Sequence, residues 1–344
     1  MRAAVYNPYW ETMGGGERYT ASFVKLLQDS GWQVDILWPR DISPEINLRF
    51  GIDISGVNFI SSTPYSLITN HYQLVFWLSD GSLPTSLAKK TLIHFQFPFK
   101  NVGGKIFTNL IKSRFYTFVV NSKFTKSVVD PEFRINSTVV YPPIDTSKFK
   151  PGKKTNTILY LGRFSDLTQA KGHALLIDVF KQIYSKISGW ELIIAGGTRV
   201  GTAPGQLKKL QQQAGNLPLT IITDPEFTRI REMYSHSKIF WSASGYYADE
   251  IKDPAKTEHF GISLVEAMAA GCVPLVTNHG GHKEIVDHNL NGFLWDQPGQ
   301  LADLTLQIIK DPNKLGHLSL AARTRSKIFD ISKFNRKFEE LLIL

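Results

Sequence analysis

The chain has 344 residues, 42% hydrophobic and 20% charged, which leaves room for two domains with full cores and excludes a disordered or fibrous chain. A single cysteine, Cys272, excludes an internal disulfide, and no apolar run reaches the ~20 residues that span a bilayer, so a cytoplasmic setting is expected. The net charge of +9 is uneven: residues 89–154 hold thirteen Lys or Arg against three acids, a block that attracts membrane, nucleic acid or phosphorylated substrate.

Short apolar stretches alternate with amphipathic ones, the pattern of a parallel α/β sheet. The N-terminus lacks the apolar core of a signal peptide and reads as a first strand. In the first half, strands are expected at 3–6, 33–38, 74–78, 91–95, 116–121 and 138–141. A helix is expected from about 17 to 30, with Phe23, Leu26 and Leu27 on one face and Gly31 as its stop. Ahead of it stand Gly14, Gly15 and Gly16. They lack the G-x-G-x-x-G spacing, yet a glycine run opening a helix lets N–H groups approach a phosphate or sugar; a flexible turn is the competing reading. His94 ends an expected strand, where it would point into a cleft; a histidine satisfied in the core is the alternative. Residues 95–115 then mix aromatic, aliphatic and basic side chains. That composition suits an interfacial segment on anionic lipid, or a half-buried helix with snorkelling lysines. No nucleic-acid recognition motif accompanies it.

Prolines, glycine and charge mark a linker over residues 142–154. The pattern then restarts, with strands expected at 158–161, 191–195, 219–223, 238–242 and 273–277, Cys272 being read into the last as a small buried hydrophobe. Leu176, Val179, Phe180 and Ile183 recur at helical spacing, and a final helix from about 332 to 344 carries Phe334, Phe338, Leu341 and Leu342. Residues 1–150 and 151–325 are therefore expected to form two Rossmann-like domains facing a cleft, with 326–344 a helix packing back toward the first. Ligands of such sheets bind beyond the strand C-termini.

Residues 256–271, KTEHFGISLVEAMAAG, are the most informative run. They read as a loop, a tight turn at Gly261, and a helix over 262–270 stopped by Gly271. The helix N-terminus offers unpaired N–H groups that suit a diphosphate. Glu258 and Glu266 lie eight residues apart. A fully helical run would separate them by roughly 12 Å, beyond the ~5–9.5 Å of a glycosidase pair. Such spacing suits two ends of one elongated ligand; two solvated glutamates on an amphipathic helix are the alternative.

The E-x7-E run, followed by CVPLVTNHGGHKEIV at 272–286 and NGFLW at 291–295, resembles the retaining family-4 glycosyltransferases of GT-B architecture. Its wording is most similar to mannosyltransferases of lipid-linked oligosaccharide assembly and their bacterial relatives. The resemblance implies that Glu258 contacts hydroxyls of the transferred sugar and that Glu266 holds the ribose. It also implies donor contacts at Gly15, Gly16, Gly162, His259, Phe260, Gly261, Ile262 and Ser263, and a ligand-contacting His94. Glu284 matches the family's G-G-x-x-E and reads as structural; His279 and His282 read as bystanders.

Sugar transfer expels a nucleoside diphosphate, so negative charge grows on the leaving oxygen. Arg163, just after an expected strand, and Lys171, opening a helix, supply a guanidinium fork and a point charge that stabilise it without metal. Family members carry an Arg and a Lys at these places, commonly at shorter spacing than the seven intervening residues here. The chain contains no Asp-x-Asp, in agreement with a metal-free mechanism, and no cofactor is expected. The implied activity is a retaining, metal-independent hexosyltransfer from GDP-mannose, or a UDP-sugar, to a saccharide, lipid-linked or small-molecule acceptor. The expected location is cytoplasmic, with peripheral contact to anionic membrane through residues 89–154 and no nucleic-acid partner. A nucleotide-sugar epimerase, a glycosyl phosphorylase and a non-catalytic sugar-nucleotide-binding module are the other readings.

Overall fold

The computed structural model describes residues 1–61, 72–165, 169–198 and 201–343. The chain divides into two compact units, Met1–Pro143 with Ser332–Leu344, and Ile144–Ile331. The division falls at Pro143, seven residues before the expected 150. The stretch expected to be a linker is packed onto the second unit: Ile144 bridges Asp330, and Thr146 donates its N–H and hydroxyl to the Asp330 carboxylate at 3.2 and 2.6 Å.

Among the described residues, the first unit holds a parallel sheet in the order β3-β2-β1-β4-β5-β6-β7. Its strands are β1 (Arg2–Tyr6), β2 (Gln33–Ile36), β3 (Asn58–Phe59), β4 (Leu74–Leu78), β5 (Lys90–Phe95), β6 (Thr117–Val120) and β7 (Thr138–Val139). β4 is buried at every position, as a central parallel strand covered on both faces must be. β2 stops short of the expected 38: Leu37 N–H makes the last bond to β1, at Val5 O, and Trp38 N–H turns back to Ile36 O. β3, unexpected from sequence, is too short to show an alternating pattern.

The first helix, Gly15–Asp29, starts two residues before the expected Glu17. Glu17 is its N3 residue, and its carboxylate reaches back to accept the Gly14 N–H at 2.7 Å, a one-sided cap, since a glycine N-cap has no side chain to return it. The final helix, Ile331–Leu342, ends short of the expected 344. It buries Phe334 and Phe338, one turn apart, against Tyr19 and Phe23 in the first unit's core. Each ring contributes about 2 kcal/mol of apolar burial.

The second unit has a parallel sheet ordered β10-β9-β8-β11-β12-β13 among the described residues. These strands are β8 (Thr155–Leu161), β9 (Glu191–Gly196), β10 (Leu219–Thr223), β11 (Ser237–Ser242), β12 (Val273–Thr277) and β13 (Phe293–Trp295). β13 lies in the FLW of the NGFLW motif, three residues that carry no period of their own. Cys272 precedes β12 rather than sitting in it; its thiol is fully buried against the Tyr234 and Ser237 carbonyls. Among the described residues no helix is long and apolar enough to cross a membrane.

Candidate active site

In the second unit, several expected residues gather beyond the C-terminal ends of the strands, where α/β sheets place their ligands. Gly162 and Arg163 follow β8 directly. A Cβ on Gly196, which ends β9, would lie 1.9 Å from the Gly162 carbonyl, so that position requires glycine; one on Gly162 would lie 2.4 Å from the Tyr160 hydroxyl. Arg163 is half-buried, and its guanidinium forms no ion pair among the described residues.

Lys171 sits just before Gly172, whose left-handed φ of 68° caps the helix His173–Ile183. Its ammonium donates to Glu258 Oε2 at 2.9 Å and to Gln169 Oε1 at 2.7 Å, with side-chain exposures of 10% for Lys171 and 18% for Glu258. Burial pushes the Glu258 carboxyl up, but the Lys171 charge, aided by His282, overrides it and holds the pKa at about 2. Glu258 is thus a fixed anion, unsuited to proton transfer near neutrality.

Gln169 was not legible as a site residue. It is buried, accepts from Lys171 and donates from Nε2 to the Thr257 carbonyl at 2.6 Å. One amide therefore ties the lysine to the loop bearing Glu258. Its signal in sequence, a polar residue two before Lys171, is indistinguishable from a surface glutamine.

The segment 243–261 joins β11 to the next α-helix with only the 3-10 turn Pro254–Lys256 inside it. Connections of this length are usually functional or disordered, and this one is anchored. Thr257 bonds Pro254 O, His259 Nε2 donates to Ala255 O at 3.0 Å, and Glu250 takes the Gly280 N–H and the Lys283 ammonium. The Gly280–Gly281 pair packs against it: Gly281 N–H donates to Glu258 O at 2.7 Å, and a Cβ on Gly281 would meet Phe260 Cα at 2.4 Å. The close approach that these glycines permit is to this loop's own backbone.

His259 and Phe260 are buried, and Phe260 sits edge-on to Phe329 at 5.4 Å. Burial pushes His259 and His282 down to about 4 against the pull of Glu258, while Arg163 and Lys171 further depress His259. Both imidazoles are neutral near pH 7. His282, read from sequence as a bystander, is a fully buried neighbour of Glu258 whose Nδ1 faces Thr277 Oγ1 at 3.0 Å.

Gly261, with φ 116°, caps the helix Ile262–Ala269, so Ile262 and Ser263 form its first turn and are half-buried. Glu258 therefore lies outside the helix, and the rough 12 Å separation from Glu266 that assumes a continuous helix does not apply. Glu266 is buried on the helix and accepts from the Tyr234 hydroxyl at 3.2 Å. Glu284 offers its backbone carbonyl to Arg325 at 2.7 Å.

Gly15, Gly16 and His94 belong to the first unit. Gly15 and Gly16 open the first helix, and a Cβ on Gly16 would rest 3.5 Å from Gln96. Glu17 is a buried carboxylate, pushed up by burial against hydrogen bonds from Thr12 and Gly14. His94 is the last residue but one of β5, which ends at Phe95 as expected. It is 0% exposed, stacked on Tyr19 at 3.9 Å, with Nε2 facing Gln96 Oε1 at 2.9 Å. Burial pushes it down to about 4. The half-buried Gln96 is its hydrogen-bond neighbour.

Two parallel Rossmann-like sheets in one chain define the GT-B class of glycosyltransferase fold. Solved structures agree: a glycosyltransferase from Rickettsia africae superposes with a TM-score of 0.75 at 19% identity, covering 99% of this chain and 97% of that one. An Anabaena protein crystallised with UDP-glucose gives 0.72 at 17% identity, covering 99% of each. Residues 143–325 match the model of the glycosyl transferases group 1, and the chain belongs to that family. The alpha-1,3/1,6-mannosyltransferase of Homo sapiens is 26% identical over 237 residues, 61% of this chain and 53% of that protein. A GDP-mannose-dependent phosphatidylinositol monomannoside mannosyltransferase of Mycobacterium tuberculosis is 27% identical over 228 residues, 60% of this chain and 55% of its own length. The chain spans about half the length of these two relatives.

Proposed function

We propose that the chain is a retaining, metal-independent hexosyltransferase that moves a sugar from a nucleotide-sugar donor to an acceptor hydroxyl. GDP-mannose is favoured over a UDP-sugar, on the wording of the EHFGI run and the mannosyltransferase names among its relatives. The acceptor is a saccharide, a lipid-linked saccharide or a small molecule. A cytoplasmic location and peripheral contact with anionic membrane belong to the same reading.

The observation that carries it is the Lys171–Glu258 pair beside Arg163 at the strand C-termini. In this reading the two cations, with the N–H groups opening the helix at Ile262, hold the diphosphate and stabilise its growing charge. Glu258, anionic at all working pH, accepts hydrogen bonds from hydroxyls of the transferred sugar and transfers no proton. Glu266 takes the ribose. The leaving diphosphate remains on the face from which the acceptor attacks, so configuration is retained. Metal independence draws its support from the two cations and the missing Asp-x-Asp.

A thermal-shift panel of GDP- and UDP-sugars tests donor choice, since a ligand that binds the native state raises its stability as ln(1 + [L]/Kd). GDP-mannose is expected to give the largest shift with EDTA present. Arg163→Ala should then lower kcat at saturating donor by about 100-fold or more. A variant within twofold of the parent contradicts the assigned role.

A further inference from the structure

The thirteen basic residues of 89–154 do not form one surface. Lys148, Lys150, Lys153 and Lys154 belong to the second unit, where the Lys154 ammonium is spent on the Tyr234, Ser237 and Ala270 carbonyls. Lys126 pairs with Asp130 at 2.6 Å; Lys90 and Lys112 donate to the Ile343 and Leu83 carbonyls. Of the other six, Lys123 and Arg134 lie at the two ends of the helix Lys123–Phe133, and Lys89, Lys100, Lys105 and Arg114 are exposed on segments that precede and follow the short helix Phe107–Lys112.

The same stretch exposes apolar surface. Phe107 is 77% and Phe115 76% exposed, the only exposed phenylalanines among the described residues, and Leu87, Val102, Ile106 and Ile111 are exposed with them. Scattered exposed apolar residues need no explanation; these six fall within residues 87–115. Phe107 and Ile111 lie one turn apart, and Ile106 approaches Gly103 beside Val102. The Lys112–Leu83 bond and the Tyr116 hydroxyl, bonded to Pro84 O and Ser86 N–H, bring the segment bearing Leu87 alongside that bearing Phe115. No acid occurs between Asp80 and Asp130, and the nearby Glu132 carboxylate is engaged by the Val102 and Gly104 N–H groups.

We infer that this face of the first unit is a docking surface for an anionic lipid bilayer, with Phe107, Ile106, Ile111 and Phe115 entering the headgroup–acyl boundary and Lys89, Lys100, Lys105 and Arg114 meeting lipid phosphates. It rests on the membrane contact proposed above and narrows it to one surface. The aliphatic side chains decide the partner: they add nothing to a phosphate backbone, and they gain on transfer into acyl chains. The cations supply the sign of lipid that is bound.

Co-sedimentation with vesicles tests this without donor or acceptor, so it and the transfer reaction fail separately. The full chain should pellet with phosphatidylcholine vesicles holding about 30% phosphatidylglycerol, not with pure phosphatidylcholine. Raising salt from about 0.1 to about 0.5 M should release it in part. Both Phe107→Ser with Phe115→Ser and Lys105→Glu with Arg114→Glu should weaken partition at least about tenfold, with melting temperatures unchanged because all four side chains are exposed. Equal binding to both vesicle types, or undiminished binding by both variants, overturns the inference. So does a dimer in size exclusion that the phenylalanine variant converts to monomer, with no vesicle binding by the parent; a second copy then covers the face.

Discussion

Replacing Lys171 by Met leaves the Glu258 carboxylate without its ammonium in a site where the pair is only 10% and 18% exposed. In the parent the carboxyl is held at about 2 against an ordinary 4.5, worth about 3 kcal/mol in favour of the charged form. A depressed carboxyl stabilises above its unfolded pKa and loses that contribution as pH falls toward 2. Without Lys171, burial is the dominant influence and raises the carboxyl. The variant should therefore be less stable than the parent by about 3 kcal/mol at neutral pH. Its deficit should shrink as pH falls and the carboxyl protonates. Adding Glu258→Gln should recover most of the loss, because the unpaired charge is gone. Urea unfolding of the parent, both single variants and the double variant at several pH values reads all of this. A Lys171→Met deficit below about 0.5 kcal/mol at neutral pH, or one independent of pH, would refute the reasoning.

Gln169→Ala should cost about 1–2 kcal/mol by stranding the Thr257 carbonyl and loosening Lys171, and should reduce turnover more than it shifts the unfolding midpoint; equal donor kinetics in variant and parent exclude a positioning role. His94, His259 and His282 are pushed from 6.5 to about 4, so the unfolded chain binds more protons between these values and stability should fall as pH drops from about 6.5 to about 4. A flat unfolding midpoint over that range contradicts their burial as neutral rings. Gly281→Ala forces a Cβ to 2.4 Å from Phe260 Cα and should destabilise by about 1–3 kcal/mol, raising the donor KM as the Glu258 loop shifts; a variant with parental KM and stability shows the loop to be compliant.

The architecture was legible wherever burial imposed a pattern. β4 reads as an uninterrupted apolar run because both of its faces are covered, and its expected bounds match. β3 and β13, two and three residues long, lie below the length at which any periodicity exists. The Gly261 turn and the helix after it were legible because a glycine before strong helix formers is a local signal. Gln169 was not, since its role depends on a contact 88 residues away along the chain. His94 was expected to point into a cleft, with a core histidine as the alternative; the Tyr19 ring that stacks over it comes from a different element and left no signal in the strand itself.

The closing helix has a consequence for the order in which this polypeptide matures. Phe334 and Phe338 fill the interior formed by Tyr19, Phe23 and Phe76, yet they leave the ribosome roughly three hundred residues later. Until then the amino-terminal sheet lacks a wall of its core and shows greasy surface to the cell, a window in which aggregation competes with completion. The intervening unit, continuous in the chain from Ile144 to Ile331, has all its own parts in hand earlier and can finish first.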